Sequence, residues 1–248
     1  MARALMTALE SGGATLTLAS ELRTRESNGD RTTQEQLIAQ ANAQLPDIIS
    51  KGRADGWHAW ITYHNYYKAP DLIGPHVAKA LRIPYLQIET SRARKRLTGA
   101  WASFAQSAEA AADAADMIFY LTERDAETLR RDAPQGQHLV HLRPFLDLET
   151  LPHASSLGGP MLAVGMMRAG DKLASYRIIA EGLTLLPKGA WQLHIAGDGP
   201  ARSDVEAMMK PFGDAVTLLG ALDAHAMSKA YQHASALLWP GVNEAFGL

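Results

Sequence analysis

The side chains best suited to holding a ligand lie in three short segments of the last third of this 248-residue chain. Leu162–Lys172 reads LAVGMMRAGDK: an apolar run ends at Gly165, and Arg168 and Lys172 lie on the loop beyond it. Two cations there can neutralise a diphosphate, the guanidinium by its planar fork and the ammonium as a point charge. Two solvated surface cations would leave the same trace. Trp191–Pro200 reads WQLHIAGDGP. A lone G-x-G after a strand is weak evidence for a phosphate cradle, so Gly197 and Gly199 are read as a turn that ends the strand; Gly220-Ala221-Leu222 closes another. Pro240–Leu248 reads PGVNEAFGL. Glu244 is a candidate acceptor for sugar hydroxyls, and the turn at Phe246-Gly247-Leu248 lets backbone N–H groups approach an anion. An acidic helix cap explains Glu244 less well, because Phe and Gly follow it.

In the first half, Tyr63-His64-Asn65-Tyr66-Tyr67 follows a β-rich run, which makes His64 a candidate catalytic group against the alternative of a surface-loop histidine. His58 and His76 have no such placement and are read as structural. The run Ser91–Arg96 (SRARKR) sets Arg92, Arg94, Lys95 and Arg96 ahead of Leu97, Trp101 and Phe104. A basic amphipathic helix of this kind can lie weakly on an anionic membrane or grip an anionic acceptor; a core-facing helix with a solvated basic end is the commoner case. No metal site is expected. Asp147-Leu148-Glu149 is the nearest thing to an Asp-x-Asp and is read as a turn after Pro144. Cysteine is absent, which excludes disulfides, thiolate ligands and a Cys nucleophile. No Gly-x-Ser-x-Gly elbow suggests a hydrolase.

The elements that must position these residues alternate. Helices are expected from the start of the chain, where Ala4, Leu5, Ala8 and Leu9 recur at helical spacing before the stop at Gly12-Gly13, and over 33–45 (ending before Pro46), 75–81, 107–115 and 123–131. Strands are expected over 14–20, 58–63, 84–88, 117–121 and 137–142. After HASSLGGP (153–160), read as a linker, strands at 161–164, 191–196, 216–219 and 236–239 alternate with helices at 175–186, 201–209 and 224–233. Such alternation indicates parallel, doubly wound sheets. The expected fold class is α/β, with two tandem Rossmann-like domains over 1–155 and 156–248. A doubly wound domain ordinarily opens on a strand and a Gly-rich turn. Here a helix comes first and the chain stops after a strand and loop, so both domains are read as incomplete and the chain as a fragment.

Composition narrows the function classes. Hydrophobic residues make up 47% and charged residues 20%, ordinary for a globular protein and against disorder. Net charge is -2, without opposed halves: residues 1–157 carry 17 basic and 18 acidic side chains, residues 158–248 carry 7 and 8. Nucleic acid is therefore not an expected partner. No apolar run reaches a membrane span or a signal-peptide core, so a cytoplasmic protein is expected, with the basic run allowing contact with the inner membrane face.

Taken in order, AVGMMRAGDK, IAGDGP, LLGALD and PGVNEAFGL resemble the donor domain of retaining family 4 glycosyltransferases of the GT-B type. That family carries V-G-x-x-R/K, A-G-D-G-P, L-G and the start of an E-x7-E element written E-x-F-G-L. The resemblance covers essentially residues 160–248. It implies a hexosyl transfer from a nucleoside diphosphate sugar to an acceptor hydroxyl, retaining and metal-independent. The nucleotide sugar is a co-substrate, no cofactor is implied, and the acceptor (saccharide, lipid-linked or small molecule) is unspecified. By the same resemblance, Arg168 and Lys172 bind the diphosphate, backbone at Ala221-Leu222 lies near the base, and Glu244 touches the donor sugar. Phe246, Gly247 and Leu248 present amides, and His64 matches by position a histidine that faces the donor sugar. Two departures stand out. The usual arginine directly follows the glycine, whereas Arg168 lies three positions beyond Gly165, and the family's second glutamate would fall past Leu248. A non-catalytic nucleotide-sugar-binding protein is the alternative. A Rossmann oxidoreductase lacks support, because no G-x-G-x-x-G opens a helix.

Overall fold

The computed structural model describes residues 2–145 and 151–244, and the chain divides into two compact units at 147/148. In the first unit, α1 (Ala2–Ser11) and α2 (Arg31–Asp55) precede an alternating series: β1 (Trp60–Asn65), α3 (Gly74–Leu81), β2 (Tyr85–Thr90), α4 (Ala102–Ala114), β3 (Met117–Tyr120), α5 (Glu123–Asp132) and β4 (His138–His141). Its strands pair in parallel in the order β1-β2-β3-β4. Between β2 and α4 the chain makes two 3₁₀ turns, Arg94–Arg96 and Gly99–Trp101.

Three expectations for this unit are corrected. Residues 14–20 form no strand: alternation alone does not satisfy a backbone, no neighbouring strand pairs with this segment, and Leu18 is 68% exposed. Pro46 does not end α2. A mid-helix proline costs about 3 kcal/mol, but Leu37, Ile38 and Ala41 before it and Ile48 and Ile49 after it pack into one cluster with Val77 and Phe104. The helix therefore runs on to Gly56, whose left-handed conformation (φ 65°) caps it. The basic run forms no amphipathic helix. Arg92 is buried, its guanidinium donating to Glu109 (2.8 Å) and Asp113 (2.7 Å), residues spaced i, i+4 on α4. Arg94 pairs at 3.2 Å with Asp132, whose side chain is 4% exposed. Burial takes Arg92 out of any membrane contact, while Arg94 and Lys95 are exposed. No helix among the described residues is long and apolar enough to cross a membrane.

The second unit holds β5 (Met161–Val164), α6 (Asp171–Leu183), β6 (Leu193–Ala196), α7 (Arg202–Met209), β7 (Val216–Gly220) and α8 (Ala224–His233). Its strands are parallel in the order β5-β6-β7. Residues 236–239 make less than a full strand, a single parallel bridge of Leu237 to Leu162. Leu162 N–H donates to Ala236 O and Leu238 N–H to Leu162 O, each at 2.8 Å. This segment adds to the free side of β5, so the chain order runs outward through β6 and β7 and then reverses past β5. The 153–160 stretch belongs with this unit: Ser156 N–H donates to Gln232 O at 3.0 Å, and a Cβ on Gly159 would meet His233 O at 2.0 Å. Its core joins Tyr176, Ile179 and Leu183 of α6 to Leu193 and Ile195 of β6 and Val205 of α7.

Candidate functional site

In open α/β sheets, ligands bind outside the carboxyl ends of strands where the strand order reverses. In the second unit that place lies between the end of β5, at Gly165, and the end of the 236–239 segment. The backbone there is packed without room for side chains. A Cβ on Gly165 would lie 2.3 Å from the Trp239 ring, and one on Gly197 would lie 1.9 Å from Gly165 O. Gly197-Asp198-Gly199 is thus a turn pressed against the loop after β5, as its sequence suggests, with Met167 N–H donating to Asp198 O at 2.9 Å. Tyr176 fixes the same loop from α6 by donating to Gly165 O at 2.7 Å; burial pushes its phenol up to about 12.

Two of the sequence-selected residues, Lys172 and Glu244, meet at this point. Lys172 sits in the first turn of α6, not on the loop, and its ammonium pairs with Glu244 Oε1. Trp239 Nε1 donates to the same carboxylate oxygen at 3.0 Å, and the ammonium lies 5.2 Å above the Trp239 ring. Lys172, with lesser help from Trp239 and Arg168, holds the Glu244 carboxyl below its usual value. Arg168 is exposed and makes no ion pair among the described residues. The loop carrying Glu244 is pinned to α6 by two further bonds, Val242 N–H to Ser175 Oγ (3.1 Å) and Asn243 Nδ2 to Asp171 Oδ1 (3.0 Å). α6 itself starts at Gly170 with no side-chain cap, so its first amides and its positive dipole end face the same place as Lys172. Asp171 stands in the same first turn, so the cations Lys172 and Arg168 are set against two carboxylates, Asp171 and Glu244. Leu222 follows β7 with its side chain packed toward Leu162, Ala196 and Ala234. Phe246, Gly247 and Leu248 lie outside the described residues, as does Asp147-Leu148-Glu149.

In the first unit, His64 stands at the carboxyl end of β1 and is left-handed (φ 73°). So is Glu89 (φ 59°), its opposite number on β2: the ladder pairs Tyr63 with Ile88 and Asn65 with Thr90, and skips the two residues between. Such conformations are costly for side-chain-bearing residues, and they gather at functional sites. The paired kink brings Glu89 Oε2 within 3.7 Å of His64 Nδ1 while accepting a hydrogen bond from the Tyr63 hydroxyl. The His64 imidazole, seconded by that hydroxyl, holds the Glu89 carboxyl low; burial and Glu89 push the Tyr63 phenol up. Asn65, fully buried, anchors the strand end by donating to Ala108 O and accepting from Asp71 N–H, each at 3.0 Å.

Glu89, Tyr63 and Trp239 are absent from the sequence-selected set. A signal for Glu89 exists: it immediately follows the expected strand 84–88, at the sheet edge where parallel folds collect ligands.

No family model matches the chain, and no curated protein matches it. Solved structures do. Over 86% of this chain and 57% of the other, it is similar to the lipopolysaccharide outer core galactosyltransferase WaaB in its apo form (TM-score 0.56, 17% identity). Over 82% and 56%, it is similar to a Listeria monocytogenes protein described as a UDP-N-acetylglucosamine 2-epimerase (TM-score 0.51, 10% identity). The chain thus spans a little over half the length of each. At these identities the likeness speaks to fold, and with the parallel sheets described above it gives the chain a GT-B-type α/β fold.

Proposed function

We propose that the chain is part of a glycosyltransferase that moves a hexosyl group from a nucleoside diphosphate sugar to an acceptor hydroxyl. The observation that carries this reading is the meeting of Lys172, Glu244 and Trp239 at the uncapped start of α6, beside the strand-order reversal, with Arg168 exposed on the loop that leads into it. A diphosphate gains charge as its bond to the sugar breaks. Two cations and a set of oriented amides stabilise that charge in the transition state more than in the ground state. Glu244 then accepts hydrogen bonds from sugar hydroxyls. In the first unit, the His64 imidazole beside Glu89 is the group we assign to engage a sugar hydroxyl. The fold analogy with a galactosyltransferase and a protein described as acting on a UDP-sugar points to the same donor class. The family 4 motifs extend the reading to retained anomeric configuration, with the departing phosphate taking the acceptor proton and no metal in the step.

Calorimetric titration with nucleoside diphosphates tests the clamp. Arg168→Ala and Lys172→Ala should each cost about 1.5–3 kcal/mol, the worth of a charged hydrogen bond. Wild-type binding by both variants would remove the donor site from this loop. Binding without release of nucleoside diphosphate from any nucleotide sugar would identify a sensor instead.

A further inference from the structure

Among the described residues of the first unit, Arg92 is buried and two further cations, Lys68 and Arg96, are half-buried. Arg92 is compensated by two carboxylates. Lys68 and Arg96 are not: among the described residues neither has a carboxylate partner or a side-chain hydrogen bond, and Arg96 Nε is closed off from solvent with no acceptor there. Withdrawing a cation from water without an anion is costly. Both cations lie against the same aromatic ring, Arg96 at 5.1 Å and Lys68 at 5.9 Å from the centre of Tyr67, with Lys68 also 5.3 Å from that of Trp101. Cation–ring attraction offsets part of the cost and leaves the positive charge in place. The cluster is joined to the candidate catalytic group by ring contacts: His64 to Tyr66 at 4.7 Å, Tyr66 to Tyr67 at 5.8 Å, Tyr67 to Trp101 at 5.4 Å.

We propose that Lys68 and Arg96, set around Tyr67, form a subsite for the phosphate of a phosphorylated saccharide, the acceptor whose hydroxyl is delivered to His64. The inference rests on the glycosyltransferase reading for the word acceptor; the binding site itself does not. Two cations match a dianionic phosphate monoester, the guanidinium by its fork and the ammonium as a point charge. The partly exposed rings of Tyr66 and Tyr67 lie between that phosphate and His64, offering apolar faces to the C–H side of a sugar ring.

The test is calorimetric titration of the full chain with glucose 6-phosphate, glucose and inorganic phosphate, alongside flotation with phosphatidylcholine–phosphatidylglycerol vesicles. Glucose 6-phosphate should bind on the order of tenfold or more tighter than glucose, and tighter than inorganic phosphate. Lys68→Gln with Arg96→Gln, which keeps the side-chain stems over the rings, should erase that preference with the thermal midpoint retained. Tyr67→Leu offers a second route should the double variant melt early, and should weaken glucose 6-phosphate several-fold. Arg168→Ala with Lys172→Ala should leave glucose 6-phosphate binding intact while weakening nucleoside diphosphate, so the two sites fail independently. The proposal is overturned if glucose 6-phosphate binding vanishes with the Arg168 and Lys172 changes but survives those at Lys68 and Arg96. It is equally overturned if inorganic phosphate binds as well as the sugar phosphate, or if only the vesicles bind.

Discussion

Glu244→Gln removes one negative charge from the oxygen that holds Lys172 and leaves the shape of the side chain. The two side chains are 19% and 18% exposed, between the regime of a solvated ion pair and that of a buried one. Solvated pairs contribute about 0.2–1 kcal/mol, and a hydrogen bond to a charged group about 1.5–3 kcal/mol. A value of about 1–2 kcal/mol is appropriate here. A diphosphate arriving at the start of α6 must take Lys172 from Glu244 or share it. Releasing the ammonium should therefore tighten nucleoside diphosphate binding about 5- to 30-fold. The sugar conjugate should gain less, because the amide is a weaker acceptor for sugar hydroxyls than the carboxylate. The discriminating quantity is the ratio of the two affinities, measured by calorimetry on wild type and variant at one ionic strength; it should fall. Unchanged or weaker nucleoside diphosphate binding in the variant would refute the idea that Glu244 occupies the ammonium in the ligand-free protein. The same pair has a pH signature. Lys172 holds the Glu244 carboxyl below the usual 4.5, so its stabilising contribution is complete above that value and is lost as pH falls through the depressed one. The variant should lose less stability than wild type on acidification below about pH 5.

His64→Ala and Glu89→Gln should each lower nucleotide-sugar turnover, read as nucleoside diphosphate release, while nucleoside diphosphate affinity stays put. The double variant should be little worse than His64→Ala alone, a coupling of about 0.5–3 kcal/mol that additive losses would disprove. Gly165→Ala drives a methyl group to within 2.3 Å of Trp239, a ring fixed by Glu244, and should cost about 1–3 kcal/mol in urea unfolding. A variant as stable as wild type would show the ring to be free to move.

Alternating apolar runs were enough to read two parallel sheets, because a strand buried on both faces must be apolar and a covering helix must carry its stripe. The carboxyl-edge rule then brings Gly165, Arg168 and the segment after Trp239 together although more than seventy positions separate them. What stayed hidden depends on packing partners. Nothing local to SRARKR says that Arg92 will find Glu109 and Asp113 on α4, or that Arg94 will reach Asp132. Pro46 reads as a stop until Leu37 before it and Ile49 after it are seen to pack into one cluster. Residues 14–20 alternate like a strand but have no neighbour to pair with. The kink that joins His64 to Glu89 requires the β1–β2 register and two left-handed residues at the same level, neither encoded by residue type.

The strand order of the second unit has a consequence for synthesis. β5 is made early, yet its outer edge has no partner until Ala236–Leu238 arrives, after three helices and two strands have been built. A chain emerging from the ribosome at about 5–20 residues per second keeps that edge open for seconds, an invitation to foreign strands. The segment that finally closes it also delivers Trp239 and Glu244. Pairing of this edge of β5 and delivery of Glu244 to Lys172 are then one event.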